Sequence, residues 1–210
     1  MKIKSTLFAL LALAVLTCGV QAQEMQEKSA ECEGECPIAA AMGELPKMTY
    51  KVGEEATCCS ESAAALAQEH SLPIHFVVGE NTFEEKEAAV ASLVEVTEAY
   101  VNDFITPCKC EVSGTTKIAG TACNCPIKAG ETTQLVKAAA DEVQMTYAVG
   151  ETECNCPKKA AALADASDAE KMYVVGEEKT CCEMSARLNL ARAKYKAAVQ
   201  ALAANEKAGS

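Results

Sequence analysis

A chain of 210 residues, 50% of them hydrophobic and 23% charged, with a formal charge of −11, lies in the globular range rather than the disordered one. The acidic balance argues against a nucleic-acid binder: phosphate recognition needs a basic stripe, and Glu or Asp interleaves every Lys/Arg cluster except one near the C-terminus. Aromatic residues make up 4% and Trp is absent, so the core must come from small side chains in close-packed helices, while 13 cysteines are the compositional anomaly.

In chain order, Lys2 and Lys4 precede an apolar run from Leu7 to Leu16 and a small-x-small site at Val20-Gln21-Ala22. This is the grammar of an export signal, and residues 1–22 are expected to be a signal peptide. Thr17 is a poor neighbour for a lipidated Cys18, and no later stretch reaches about 18 consecutive apolar residues, so the mature chain is expected to be secreted or periplasmic, with no membrane association. Cleavage takes away Lys2, Lys4 and Cys18, leaving a charge of −13 and 12 cysteines. An oxidising compartment favours disulfides or metal-held thiolates over free thiols.

After a linker at 23–30, a first repeat half is expected over 31–107 and a second over 123–207. Residues 108–122, with the turn-forming Ser113-Gly114-Thr115-Thr116, form a linker or an extra hairpin. The halves are recognised by direct self-comparison. Met48-Thr49-Tyr50 recurs as Met145-Thr146-Tyr147, Cys59 falls on Cys156, Ala63 to Ala67 on Ala160 to Ala164, and Leu93 on Leu190, giving 18 gapless identities over 48–93 at an offset of 97. Within each half a shorter unit, aromatic-x-Val-Gly-Glu, occurs twice, at Tyr50 and Phe76 and again at Tyr147 and Tyr173. Alternating residues around a Gly-Glu turn predict a β-hairpin. Ala-rich helices are predicted to follow, over 62–68, 84–101, 158–166 and 183–204, with two more at 38–42 and 128–143. The last hairpin-following helix spaces Met184, Leu188, Ala191, Tyr195, Val199 and Leu202 as a core stripe, and its cations Arg187, Arg192, Lys194 and Lys196 complement its dipole. The expected fold class is therefore α+β, internally duplicated, with small hairpins each followed by an Ala-rich helix.

The 12 mature cysteines form duplets: Cys32/Cys36, Cys58/Cys59, Cys108/Cys110, Cys123/Cys125, Cys154/Cys156 and Cys181/Cys182. Most stand where a hairpin hands over to a helix, and Pro37, Pro126 and Pro157 follow three of them as first helical residues. A helix N-terminus favours the thiolate, the form that binds metal or attacks a disulfide. The duplets are not needed by the unit itself, because Glu84 and Glu85 stand where Cys181 and Cys182 stand one half later. Duplets close poorly on themselves, since a disulfide requires a specific torsion and Cα separation. Two readings remain open: cross-linking disulfides between duplets, serving a structural or protein-interaction module, and Zn or Cu(I) sites of two duplets each. The four-sulfur site expected first joins Cys154 and Cys156 to Cys181 and Cys182.

Cys36-Pro37, the Tyr50 hairpin, and Gly53 followed six residues later by Cys59-Ser60-Glu61-Ser62 resemble the YHS and TRASH group of treble-clef-like metal-binding modules. The resemblance covers each unit of roughly 30 residues and rests on short motifs. It implies a metal-sensing or metal-carrying role. Where that group has a second ligand cysteine four residues on, this chain has Ala63, Ala160 and Ala186; the resemblance then assigns the displaced ligand to Cys58, Cys154 and Cys181. His70 and His75 lack repeat equivalents and are expected to be structural. No Cys-x-x-Cys occurs and no acid, base and nucleophile set is duplicated, so a binding protein is expected rather than an enzyme, with thiol redox chemistry as a lesser alternative.

Overall fold

The computed structural model describes residues 37–208; the expected signal peptide, the linker, and Cys32 and Cys36 lie outside them. The first half runs α1 (Pro37–Gly43), β1 (Met48–Val52), β2 (Glu55–Thr57), α2 (Ser60–His70), β3 (Ile74–Val78), β4 (Asn81–Phe83) and α3 (Lys86–Ile105). Next come β5 (Cys108–Lys109), β6 (Thr116–Ile118), β7 (Thr121–Cys123) and α4 (Pro126–Glu142). The second half continues with β8 (Met145–Val149), β9 (Thr152–Cys154), α5 (Pro157–Ser167), β10 (Lys171–Val175), β11 (Glu178–Thr180) and α6 (Glu183–Ala208). The architecture is α+β and duplicated, as the self-comparison predicts; α3 and α6 run beyond their predicted ends at 101 and 204, whereas α4 starts and ends slightly before the predicted 128–143.

Each half builds one four-stranded antiparallel sheet, in the orders β2-β1-β3-β4 and β11-β10-β8-β9. The duplication extends to the ladders: Tyr50 pairs with Phe76 and Met48 with Val78, while Tyr147 pairs with Tyr173 and Met145 with Val175. Two hairpins thus join through their first, five-residue strands, which puts the short second strands on the sheet edges. The turns are two residues long, between paired ends such as Val149 and Thr152, and Gly150 takes φ 58, which only glycine adopts without cost.

The segment expected as a linker or extra hairpin is a hairpin with an added edge strand, in the order β5-β6-β7. It is also a fifth hairpin–helix unit. Ile118 pairs with Thr121 around Ala119-Gly120, and a shift of 31 residues carries this turn, gap-free, onto Val149, Gly150, Glu151 and Thr152, and Cys123-Asn124-Cys125-Pro126 onto Cys154-Asn155-Cys156-Pro157.

One packing device recurs in all five units. The carbonyl of the residue before the helix accepts the N–H of an alanine four residues on: Ala63 from Cys59, Ala89 from Glu85, Ala129 from Cys125, Ala160 from Cys156 and Ala186 from Cys182, at 2.9–3.2 Å. All five alanines are at most 4% exposed. A methyl group at this point lets the first helical turn lie close to its hairpin. In the second half this layer packs Ala160 and Ala186 on Tyr147, Val149 and Tyr173. On that sheet's other face Lys179 on β11 reaches Glu153 on β9 at 3.3 Å, over buried Val174 and Ala148, with which they pair. The predicted α6 stripe is core: Ala191, Tyr195 and Val199 are buried with Leu45 and Val101.

Candidate functional site

The sequence places cysteines at helix starts, and the structure does so four times: Cys59, Cys125, Cys156 and Cys182 each directly precede a helix. The first three are extended, at φ near −100° (−99, −96 and −109), and none of these three makes a side-chain cap hydrogen bond. All ten described cysteines are free thiols; Cys123 and Cys154 are half-buried and the other eight exposed.

The four described duplets at helix starts are of two kinds, distinguished by the last strand residue of the unit, while Cys108/Cys110 stands at the outer strand β5. In the units with adjacent cysteines this residue is threonine, and its hydroxyl accepts the cysteine N–H: Cys59 N–H to Thr57 Oγ1 at 3.2 Å, and Cys182 N–H to Thr180 Oγ1 at 3.1 Å. In the Cys-Asn-Cys-Pro units it is cysteine. There the first thiol leans over its partner's backbone and donates to the carbonyl, Cys123 Sγ to Cys125 O at 3.3 Å and Cys154 Sγ to Cys156 O at 3.7 Å. In each Cys-Asn-Cys-Pro turn the first thiol is thus held on the second cysteine's backbone.

The structure does not bring the Cys154/Cys156 and Cys181/Cys182 duplets to one point. Cys154, Tyr147, Tyr173 and Thr180 lie in a single row across the sheet, on β9, β8, β10 and β11. Three inter-strand spacings separate the ends of that row, about 14 Å. The edge strands also run in opposite directions, so Cys156 and Cys182 leave toward opposite ends. In the three-stranded sheet Cys123 shares a row, and hence a face, with Thr116 and Lys109, while Cys108 shares the opposite face with Lys117 and Ala122. Among the described residues no three His, Cys, Asp or Glu side chains converge as a metal-binding group. Ala63, Ala160 and Ala186, at the resembled family's second-ligand position, are buried against the hairpins. His70 approaches Glu55 at 3.8 Å, and His75 pairs with Lys51 in the sheet.

Three thiols have a lowered pKa, and the sequence reading passed over what they share: a serine three residues on. The Ser62 amide, followed by its hydroxyl and the Glu61 amide, favours the Cys59 thiolate. At Cys182 the Ser185 hydroxyl acts first, then its amide. At Cys110 the Ser113 hydroxyl and amide do the same, with the Ser113 N–H 3.5 Å from Sγ. Cys-x-x-Ser was the sequence signal for these positions. Beside Cys182, Glu183 accepts the Tyr173 hydroxyl at 3.2 Å, and Lys171 Nζ stands 4.7 Å from the Tyr173 ring centre. The first half has Lys86, Phe76 and Ile74 at these positions, so this polar brace belongs to the second half alone.

No family profile, curated protein or solved structure matches the chain. Among the described residues no helix is long and apolar enough to cross a membrane.

Proposed function

We propose that this is an exported cysteine-rich protein that binds a soft monovalent cation, Cu(I), through separate dithiolate sites, the best formed being Cys123/Cys125 and Cys154/Cys156. The observation that carries the reading is the recurrence of the Cys-Asn-Cys-Pro turn in two units, with the first sulfur leaning over the second cysteine in both. Thiolates select soft ions. Zinc in a structural site takes four ligands in a tetrahedron, whereas Cu(I) is satisfied by two sulfurs, which is what a single turn offers. Separation of the duplets across the sheet therefore favours Cu(I) over Zn. Cys58/Cys59, Cys181/Cys182 and Cys108/Cys110 are further dithiols without that thiol-to-carbonyl contact, and Cys32/Cys36 completes the set.

Each ion displaces thiol protons, so binding weakens as pH falls. The Cys154 and Cys123 thiols must give up their hydrogen bonds to the Cys156 and Cys125 carbonyls and turn toward the ion. The test is anaerobic titration of the reduced, metal-free mature protein with Cu(I) against a chromophoric chelator. Paired serine substitutions at Cys123/Cys125 and at Cys154/Cys156 should each remove one ion per chain. Loss of no ion, or tighter retention of Zn than of Cu(I), would refute the reading, and an exported product with every thiol oxidised would favour the disulfide-stapled module instead.

A further inference from the structure

A cleft of about 210 Å³ opens between α3 and α6, and none of the described cysteines lines it. Val101 and Ala191, 3% and 5% exposed, form its floor. One end is closed by a bidentate pair, Arg187 Nε and Nη2 donating to Glu98 Oε1 and Oε2 at 2.9 and 2.6 Å. At the other end stand Lys194 and Asn102. Lys194 is half-buried yet has no ion-pair partner among the described residues, in a chain whose formal charge is −11.

The duplication shows that this arrangement is a departure from the unit rather than part of it. At the offset of 97, Arg187, Leu190, Ala191 and Lys194 correspond to Val90, Leu93, Val94 and Thr97. In α3 the last three of these are core, at 5%, 0% and 0% exposure. In α6, Val is replaced by the smaller Ala at the floor, and Val and Thr are replaced by cations at the two ends. The first change opens volume and the others line it with positive charge; since Glu98 already occupies Arg187, Lys194 is left for a ligand.

We propose that this cleft binds a small amphipathic carboxylate, its head on Lys194 and Asn102 and its hydrocarbon body over Val101 and Ala191. A cavity of about 150 Å³ accepts one benzene, so this cleft suits about eight non-hydrogen atoms by the same proportion. Residues 187 to 194 span about 10 Å of helix, enough for a six-carbon chain lying along it.

Hexanoate is the probe, titrated into the mature, metal-free protein with backbone amide chemical shifts as the readout. Saturable shifts confined to α3 and α6 are expected, with hexylamine and 1-hexanol binding more weakly. Lys194→Thr, which restores the first half's residue, should weaken hexanoate by about tenfold, the worth of one charge-assisted hydrogen bond. Ala191→Val should abolish binding by refilling the floor, and Lys194→Thr provides a readout that leaves the buried packing intact. The proposal is overturned if the wild-type chain shows no saturable shifts, if 1-hexanol or hexylamine binds as tightly as hexanoate, or if Lys194→Thr binds unchanged.

Discussion

The ten described thiols, all exposed or half-exposed, are not chemically alike, and a serine three residues away marks those that differ. Cys59, Cys110 and Cys182 each have such a serine, whose amide and hydroxyl favour the thiolate. For an acid, stabilising the charged form lowers the pKa, so these thiolates persist to lower pH and react where ordinary thiols are still protonated. Limited alkylation near neutral pH, read by peptide mass spectrometry, should label these three first. Ser185→Ala, which removes the hydroxyl that acts first on Cys182, should slow labelling of Cys182 by about three- to tenfold, the worth of one hydrogen bond, and move its rate profile to higher pH; an unchanged rate would remove the role given to that hydroxyl. A second single-residue effect lies in the fifth unit, where Ala119 takes φ 50 beside Gly120 at φ 75. Left-handed backbone costs a residue with a Cβ roughly 1 kcal/mol, so Ala119→Gly should raise stability by about that amount less the entropy of the added glycine, seen as a small rise in the denaturant midpoint.

At the scale of the element, the hairpin–helix unit is set by the alanine that meets the N-cap carbonyl. Ala160 is fully buried against the Tyr147 and Tyr173 layer, and a larger side chain there must push the helix off its hairpin. Ala160→Leu should cost about 1–3 kcal/mol by overpacking, measured by urea unfolding, whereas the same change at exposed Ala161 should cost little. Four of the five units were legible in the sequence because an aromatic residue, a valine and a Gly-Glu turn recur together. The fifth was concealed: Thr116 stands in place of the aromatic, and its glycine falls at the second turn position, so the pattern slips by one residue although the backbone register does not. The duplet positions were legible for a related reason, since prolines and cysteines mark helix starts. Their grouping was not, because it depends on strand order. A sequence in which one hairpin separates two duplets suggests neighbours, yet pairing the hairpins through their first strands sends the second strands, and the cysteines that follow them, to opposite edges.

At the scale of the whole molecule, the two halves are joined through α6. This helix packs on its own sheet, yet its Tyr195 is 1% exposed between Tyr100 and Phe104 of α3, with ring centres 5.6 and 4.7 Å away in edge-to-face contact. Leu188 of the same helix packs with Val78 and Leu93 of the first half, and Ala198 with Ile118 and Val136 of the fifth unit. With Ala186 in the Tyr147 and Tyr173 layer, four apolar clusters therefore draw on α6, and none of the units they connect can lose it without exposing core. Burial, aided by a hydrogen bond to Tyr100, holds the Tyr195 hydroxyl well above its ordinary pKa, so it stays neutral through the physiological range. Two small sheets fastened to one helix should unfold in a single transition. Tyr195→Ala removes the shared ring and should cost about 3–5 kcal/mol, and amide hydrogen exchange should show protection falling together in β1, β3, β8 and β10. If β1 and β3 kept their protection while β8 and β10 lost it, the halves would be independent domains and α6 would not be the element that couples them.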